Sequence, residues 1–309
     1  MKKFVFLFIG LMCAASNAQQ IPDKSFEPEI PHPAYASGKG SLVLLDEAHH
    51  NFHTMDGRYH VFAKVLQTDG YRVQAGKSAF SPALLKDAKI LVIANALNAA
   101  NVENWQLPTP SAFTPEEIRA VNAWVKNGGS LLLIADHMPM PGASFDLGKA
   151  FGFTFYNGYA SETLSGLFPG QKKELDVFTK AEGTLATHAI TNGRNVHETV
   201  DQVQTFTGQG FQIPENAASL LTFGANYEIL LPDTAWVFDA HTPRIPAKGL
   251  SQGAVLEYGK GRVAVFGEAA MFSGQLKGEN KTPFGLNAPT AKQNIQFLLN
   301  LIHWLDKQL

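Results

Sequence analysis

Five residues able to hold a proton or a metal, Asp46, Glu47, His49, His50 and His53, fall within eight consecutive positions. They leave the apolar run Leu-Val-Leu-Leu and precede an amphipathic helical pattern. Two further acidic or basic groups stand in comparable settings. Asp136-His137 follows Ser-Leu-Leu-Leu-Ile-Ala, and Glu268 ends Val263-Ala-Val-Phe-Gly-Glu. Neutral imidazole nitrogen and carboxylate oxygen bind zinc at about 2.0–2.2 Å, and a catalytic zinc takes three protein ligands and leaves one position open. A further carboxylate then serves as general base on the metal-bound water. On these grounds the expected divalent-metal ligands, for zinc in the first instance, are Asp46, His49, His50 and His137. The expected acid/base groups are Glu268, His53 and Asp136. The competing expectation is structural: the aspartates cap turns and the histidines satisfy backbone groups in a rigid loop. The spacing matches no established metal motif, since two histidines four apart on a helix are lacking.

The elements that must bring these groups together are legible as buried strands and amphipathic helices. Residues 41–46, 71–75, 89–94 and 130–135 are short apolar runs suited to strands buried on both faces of a parallel sheet. After the first strand, Tyr59, Phe62, Ala63 and Leu66 recur at helical spacing, with Asp56 as a candidate cap and Gly70 as the stop. Thr114-Pro-Glu-Glu117 opens a second helix as a capping box with proline at the first helical position. Residues 254–258 and 262–266, joined by Gly259-Lys-Gly261, read as a hairpin. A final helix carries Ile295, Leu298, Leu299, Ile302 and Leu305, with Thr290 and Gln293 as its expected capping box. The predicted fold class is therefore α/β: a flavodoxin-like, mostly parallel sheet with helices on both faces and an irregular β-containing insertion at about 156–250. In a strand order of 2-1-3-4, loops from the first and fourth strands meet over Asn95, at the end of the third. Ligands bind at that carboxyl edge in open α/β sheets.

Composition narrows the function classes. The 309 residues carry a net charge of −2, and no lysine or arginine cluster appears, which argues against nucleic acid. Met-Lys-Lys and the apolar stretch from Phe4 to Ala15 have the form of a secretory signal cleaved after Ala18, too short to span a membrane. The expected organisation is a signal peptide (1–18), an extended lead-in (19–40) and one domain (41–309), periplasmic or secreted. The single cysteine, Cys13, lies within the signal and lacks the small preceding residue of a lipoprotein signal. The mature chain then has no thiol, hence neither disulfide nor cysteine nucleophile. No Gly-x-Ser-x-Gly elbow, P-loop or Gly-x-Gly-x-x-Gly occurs. His188 and the Asp239-Ala-His241 turn read as structural, and Trp105 as a platform at the cleft mouth.

The first strand, the Trp124-Val-Lys-Asn-Gly-Gly-Ser-Leu-Leu-Leu-Ile-Ala-Asp136 segment, the His188-Ala-Ile-Thr-Asn-Gly193 turn and Gly261-Arg-Val-Ala-Val-Phe-Gly267 resemble the class I glutamine amidotransferase-like superfamily, in particular its secreted branch related to ThuA-like proteins. The resemblance implies the fold and places chemistry at the turn after a central strand, here Ala135-Asp136-His137. That turn carries the superfamily's cysteine nucleophile in a Gly-x-Cys-x-Gly setting, which this chain lacks. Amidotransfer through a thioester is thereby excluded. The function expected is an exported, metal-assisted hydrolase acting on a small or carbohydrate-derived substrate. The alternative is a non-catalytic periplasmic binding or scaffold domain on the same fold.

Overall fold

The computed structural model describes residues 20–162 and 176–309; the signal-like segment and Cys13 lie outside the described residues. Nine strands form the main sheet: β1 (Leu42–Asp46), β2 (Arg72–Gly76), β3 (Ile90–Ala94), β4 (Ser130–Ile134), β5 (Thr154–Phe155), β6 (Phe211–Gln212), β7 (Ala218–Thr222), β8 (Ser251–Tyr258) and β9 (Gly261–Phe266). Their order is β2-β1-β3-β4-β9-β8-β6-β5, with β7 also pairing β8. From β2 to β9 every pairing is parallel. From β9 onward every pairing is antiparallel. The sheet is thus mixed rather than mostly parallel. The physical reason is the tight Gly259-Lys260 connection, where Gly259 takes φ +58°: so short a link can only reverse the chain.

Alternation along the parallel strands divides the core in two. Val43 and Leu45, Val92 and Ala94, and Leu132 and Ile134 pack into one cluster with the final helix. Leu44, Leu91 and Ile93, and Leu131 and Leu133 pack into the other, beneath Val121 and Val125. Side chains two apart on a strand share a face, so each face carries its own apolar layer and its own helices. The longest helices among the described residues are α1 (His60–Thr68), α2 (Pro115–Lys126) and α3 (Asn294–Leu305). Each fully buried Val, Leu, Ile or Phe in these layers contributes about 1.5–3 kcal/mol. No helix among the described residues is long and apolar enough to cross a membrane.

Helix ends follow the sequence in part. Thr114 and Glu117 form the expected capping box of α2. Asp56 does not cap α1, which begins after Tyr59 without a side-chain cap. Thr290 and Gln293 do not form a capping box either. Gln293 Oε1 instead accepts hydrogen bonds from the backbone N–H groups of Asp201 and Gln202, and α3 begins one residue later. Gly70 closes the turn after α1 at φ +89°; a Cβ there would lie 2.3 Å from the carbonyl oxygen of Tyr35.

Order also begins earlier than Ser41. Gln20–Pro22 adds a strand to the hairpin Gly274–Lys277 and Thr282–Gly285, and Tyr35 and Ser41 donate to the carboxylate of Asp306 at the end of α3. Proline disfavours a helix interior but is tolerated on a sheet edge. The proline-rich lead-in therefore docks against the domain. The irregular middle supplies β5 to β7 and a small separate sheet of Tyr159–Glu162, Tyr227–Leu230 and Arg244–Pro246.

Candidate functional site

The loops after β1, β3, β4 and β9 gather at one edge, but they form two distinct constellations rather than one. The first is buried and self-contained. Asp46, the last residue of β1, accepts from His49 Nδ1 at 2.9 Å and from Asn51 Nδ2 at 2.9 Å. On its other side the His49 ring donates from Nε2 to Glu117 at 2.8 Å. Asp46, His49 and Glu117 are all buried, and the imidazole lies against Phe80 and Phe113. Burial pulls the His49 pKa down, yet the two carboxylates outweigh it and raise the pKa above its ordinary 6.5. Burial likewise opposes ionisation of Glu117, but the Thr114 N–H, His49 and the Phe80 N–H hold its carboxyl at about 2. An imidazolium clamped between two carboxylates is a structural ion triad, fixing the first loop to the start of α2.

The second constellation surrounds a void of about 130 Å³, lined among others by His53, Asn95, Asp136, His137, Trp236 and Gln275. Asn95 is its keystone. The Asp136 N–H donates to Asn95 Oδ1 at 2.9 Å, so the Asn95 amide nitrogen must be the donor toward His53 Nδ1, at 3.3 Å. This fixes the His53 tautomer, with its proton on Nε2. Burial, followed by the charges of Arg58 and His137, depresses the His53 pKa well below 6.5, and the ring stays neutral. Asn95 holds φ +52°, a left-handed conformation that asparagine tolerates better than other residues with a β-carbon.

Asp136 Oδ1 accepts from the His137 N–H at 2.7 Å and Oδ2 from the Ala269 N–H at 3.3 Å. The His137 ring donates from Nδ1 to the Met138 carbonyl, stacks on Tyr159 and meets Trp236 edge-on. Trp236 sits at φ +65°, an uncommon conformation for a bulky residue, of the kind that recurs at ligand sites. Trp105 packs between Phe52 and His137 but is not among the residues lining the void. Gln275 is buried; its amide nitrogen donates to Ser273, while its Oε1 is buried without a hydrogen-bond partner.

Glu268 lies behind this wall, fully buried, its two oxygens accepting the N–H groups of Ala270 and Met271 at 2.7 Å each. Burial, followed by the charge of Asp136, raises its pKa well above 4.5 despite those two donors. Tyr59, whose hydroxyl donates to the Ala269 carbonyl, has its pKa raised by burial and by the same two acids.

Of the residues singled out from sequence, His53, Asp136 and His137 meet at the void, with Glu268 in support. Asp46 and His49 are absorbed by the ion triad, and His50 is exposed at φ +47°; none of the three lines the void. Among the described residues, no group of three or more His, Cys, Asp or Glu side chains is arranged to hold a metal ion. His188 accepts from the Ile190 N–H as the cap of a short helix, as its structural reading requires. Glu117 was legible only as a capping residue, and Trp236, Gln275 and Phe206 carried no spacing signal.

No family model matches the sequence, and no curated protein matches it. Among solved structures, the mmIFT52 N-terminal domain is similar with a TM-score of 0.59 at 14% identity, over 86% of this chain and 97% of that one. A protein described as ThuA-like from Bacteroides uniformis ATCC 8492 has a TM-score of 0.47 at 12% identity, over 90% and 94% of the two chains. Cytoplasmic Protein STM1381 from Salmonella typhimurium LT2 has a TM-score of 0.48 at 14% identity, over 86% and 99%. Likeness at such identity concerns the fold alone, and only the first value is high enough to support that inference.

Proposed function

We propose that this chain is an exported binding domain for a small, uncharged, hydroxyl-rich ligand of the carbohydrate-derived class, held at the void between His53, Asn95, Asp136 and Gln275. The observation that carries the reading is the polar inventory of that void. Its acceptor is the Asp136 carboxylate, its donor is His53 Nε2–H, and its walls are aromatic. A ligand that presents several hydroxyl donors and one apolar ring face complements that set. Binding is favoured over metal-assisted hydrolysis because Asp46 and His49 are committed to Glu117 and to each other, and Glu268 to two backbone donors. The proposal therefore includes no metal.

We read the fold as flavodoxin-like in its parallel half, on the order β2-β1-β3-β4, and the chain as a cysteine-free relative of the amidotransferase-like superfamily. The position of Asp136-His137 at the end of β4 supports this. A second reading, hydrolysis with Asp136 as base, draws support from the buried Glu268 beside it, whose pKa burial and the charge of Asp136 raise.

Titration calorimetry with methyl glycosides of glucose, galactose and mannose tests the proposal. At least one should bind, and Asp136→Asn should weaken it by about tenfold or more, as expected for a lost charge-assisted hydrogen bond. Prior treatment with EDTA should leave the affinity unchanged. No binding to any of the three would overturn the reading. Turnover of a bound glycoside, abolished in Asp136→Asn, would favour the hydrolase.

A further inference from the structure

The void at Asn95 is too small to be the whole of a binding site. Pockets that enclose a drug-sized ligand measure about 300–1,000 Å³, so a space of about 130 Å³ accepts little more than one compact ring. Three of its lining residues, Phe206, Lys277 and Phe284, also line a neighbouring cavity of about 480 Å³. The two spaces are therefore neighbours, divided by a shared wall. That wall is an aromatic pair, Phe206 and Phe284, with centroids 4.2 Å apart and planes tilted by 51°, and the Lys277 ammonium stands 5.1 Å from the Phe284 centroid. Beyond it the rim is polar, with Glu279, Asn280, Thr282 and Thr290.

We infer that the outer cavity is a second subsite of the same groove, and that the ligand is an oligosaccharide of at least two rings. Its terminal ring enters the void at Asn95, and its next ring lies across Phe284 toward the turn at residues 278–282. The chemistry fits a sugar better than an apolar chain or a polyanion. An aromatic floor accepts the C–H face of a pyranose, and a rim of hydroxyl, amide, ammonium and carboxylate groups offers both donors and acceptors to its hydroxyls. A polyanion would meet the Glu279 carboxylate, and a purely apolar chain would strip water from the rim groups without replacing their hydrogen bonds. The inference rests on the proposed carbohydrate reading, but it concerns the length of the ligand and the residues that read it.

Calorimetry on the full chain with a methyl hexoside and the corresponding 1,4-linked disaccharide separates the two ideas. The disaccharide should bind about tenfold more tightly than the monosaccharide, a gain typical of one additional stacked ring. Thr282→Trp, at an exposed strand position on the outer rim alone, should fill the outer cavity and remove that gain while the monosaccharide binds as before. Glu279→Ala should reduce the gain without affecting folding. Equal affinity for both sugars, or a gain that survives Thr282→Trp, would overturn the second subsite and leave the inner one standing. Failure of both sugars to bind would overturn the carbohydrate reading itself, and this inference with it.

Discussion

Replacing Glu117 with alanine is expected to destabilise the protein by about 3–5 kcal/mol, the cost of leaving one member of a buried ion set without its partner. His49 Nε2, the N–H groups of Phe80 and Thr114 and the Thr114 hydroxyl all donate to this one carboxylate, so its removal orphans four donors at once. The neighbouring Arg119→Ala, which breaks an exposed pair with Glu116, should cost under about 1 kcal/mol. The pH dependence of the two groups has opposite signs. His49 has a raised folded pKa, so its stabilisation is complete below 6.5 and is lost as pH rises through the folded value. Glu117 has a depressed folded pKa, so its stabilisation is complete above 4.5 and is lost as pH falls toward about 2. Denaturant unfolding of wild type and Glu117→Ala should therefore differ most between these limits, with the gap narrowing on either side. A deficit that is flat across pH would contradict the triad.

Asn95→Ala should lose both stability and ligand. Alanine at φ +52° costs about 1–2 kcal/mol, and the orphaned Asp136 N–H adds about 1–3 kcal/mol. Asn95→Gly removes the first penalty but retains the second, so it should melt between wild type and Asn95→Ala. Neither variant can fix the His53 tautomer or hold Asp136 in register, and both should bind glycosides at least tenfold more weakly. Thermal melts combined with calorimetry check this. Wild-type affinity in Asn95→Gly would show that the amide plays no part in the site.

The strands around these residues were legible because they are buried on both faces and so read as unbroken apolar runs bounded by glycine and polar loops. Their carboxyl ends followed, and with them the meeting of the β1 and β4 loops over Asn95. What the residues could not reveal was how the cluster at residues 46–53 divides. His49 turns inward toward Glu117, whose local task as a capping residue conceals its second, long-range one. His53 turns the other way, toward Asn95. Trp236 comes from an irregular segment and Gln275 from a four-residue strand too short for its period to mark a buried face, so only the folded chain places them at the void. The lead-in was obscured for a related reason: Gln20–Pro22 has too little apolar character to signal a strand, and its order comes from the hairpin edge it joins.

The most direct measurement is a crystal structure of the chain soaked with the tightest-binding disaccharide. One sugar ring is expected within hydrogen-bonding distance of His53 Nε2 and the Asp136 carboxylate, with its neighbour over Phe284. A disaccharide seated instead in the separate cavity lined by Val177, Gln204 and Lys292, with the void at Asn95 holding only water, would contradict it.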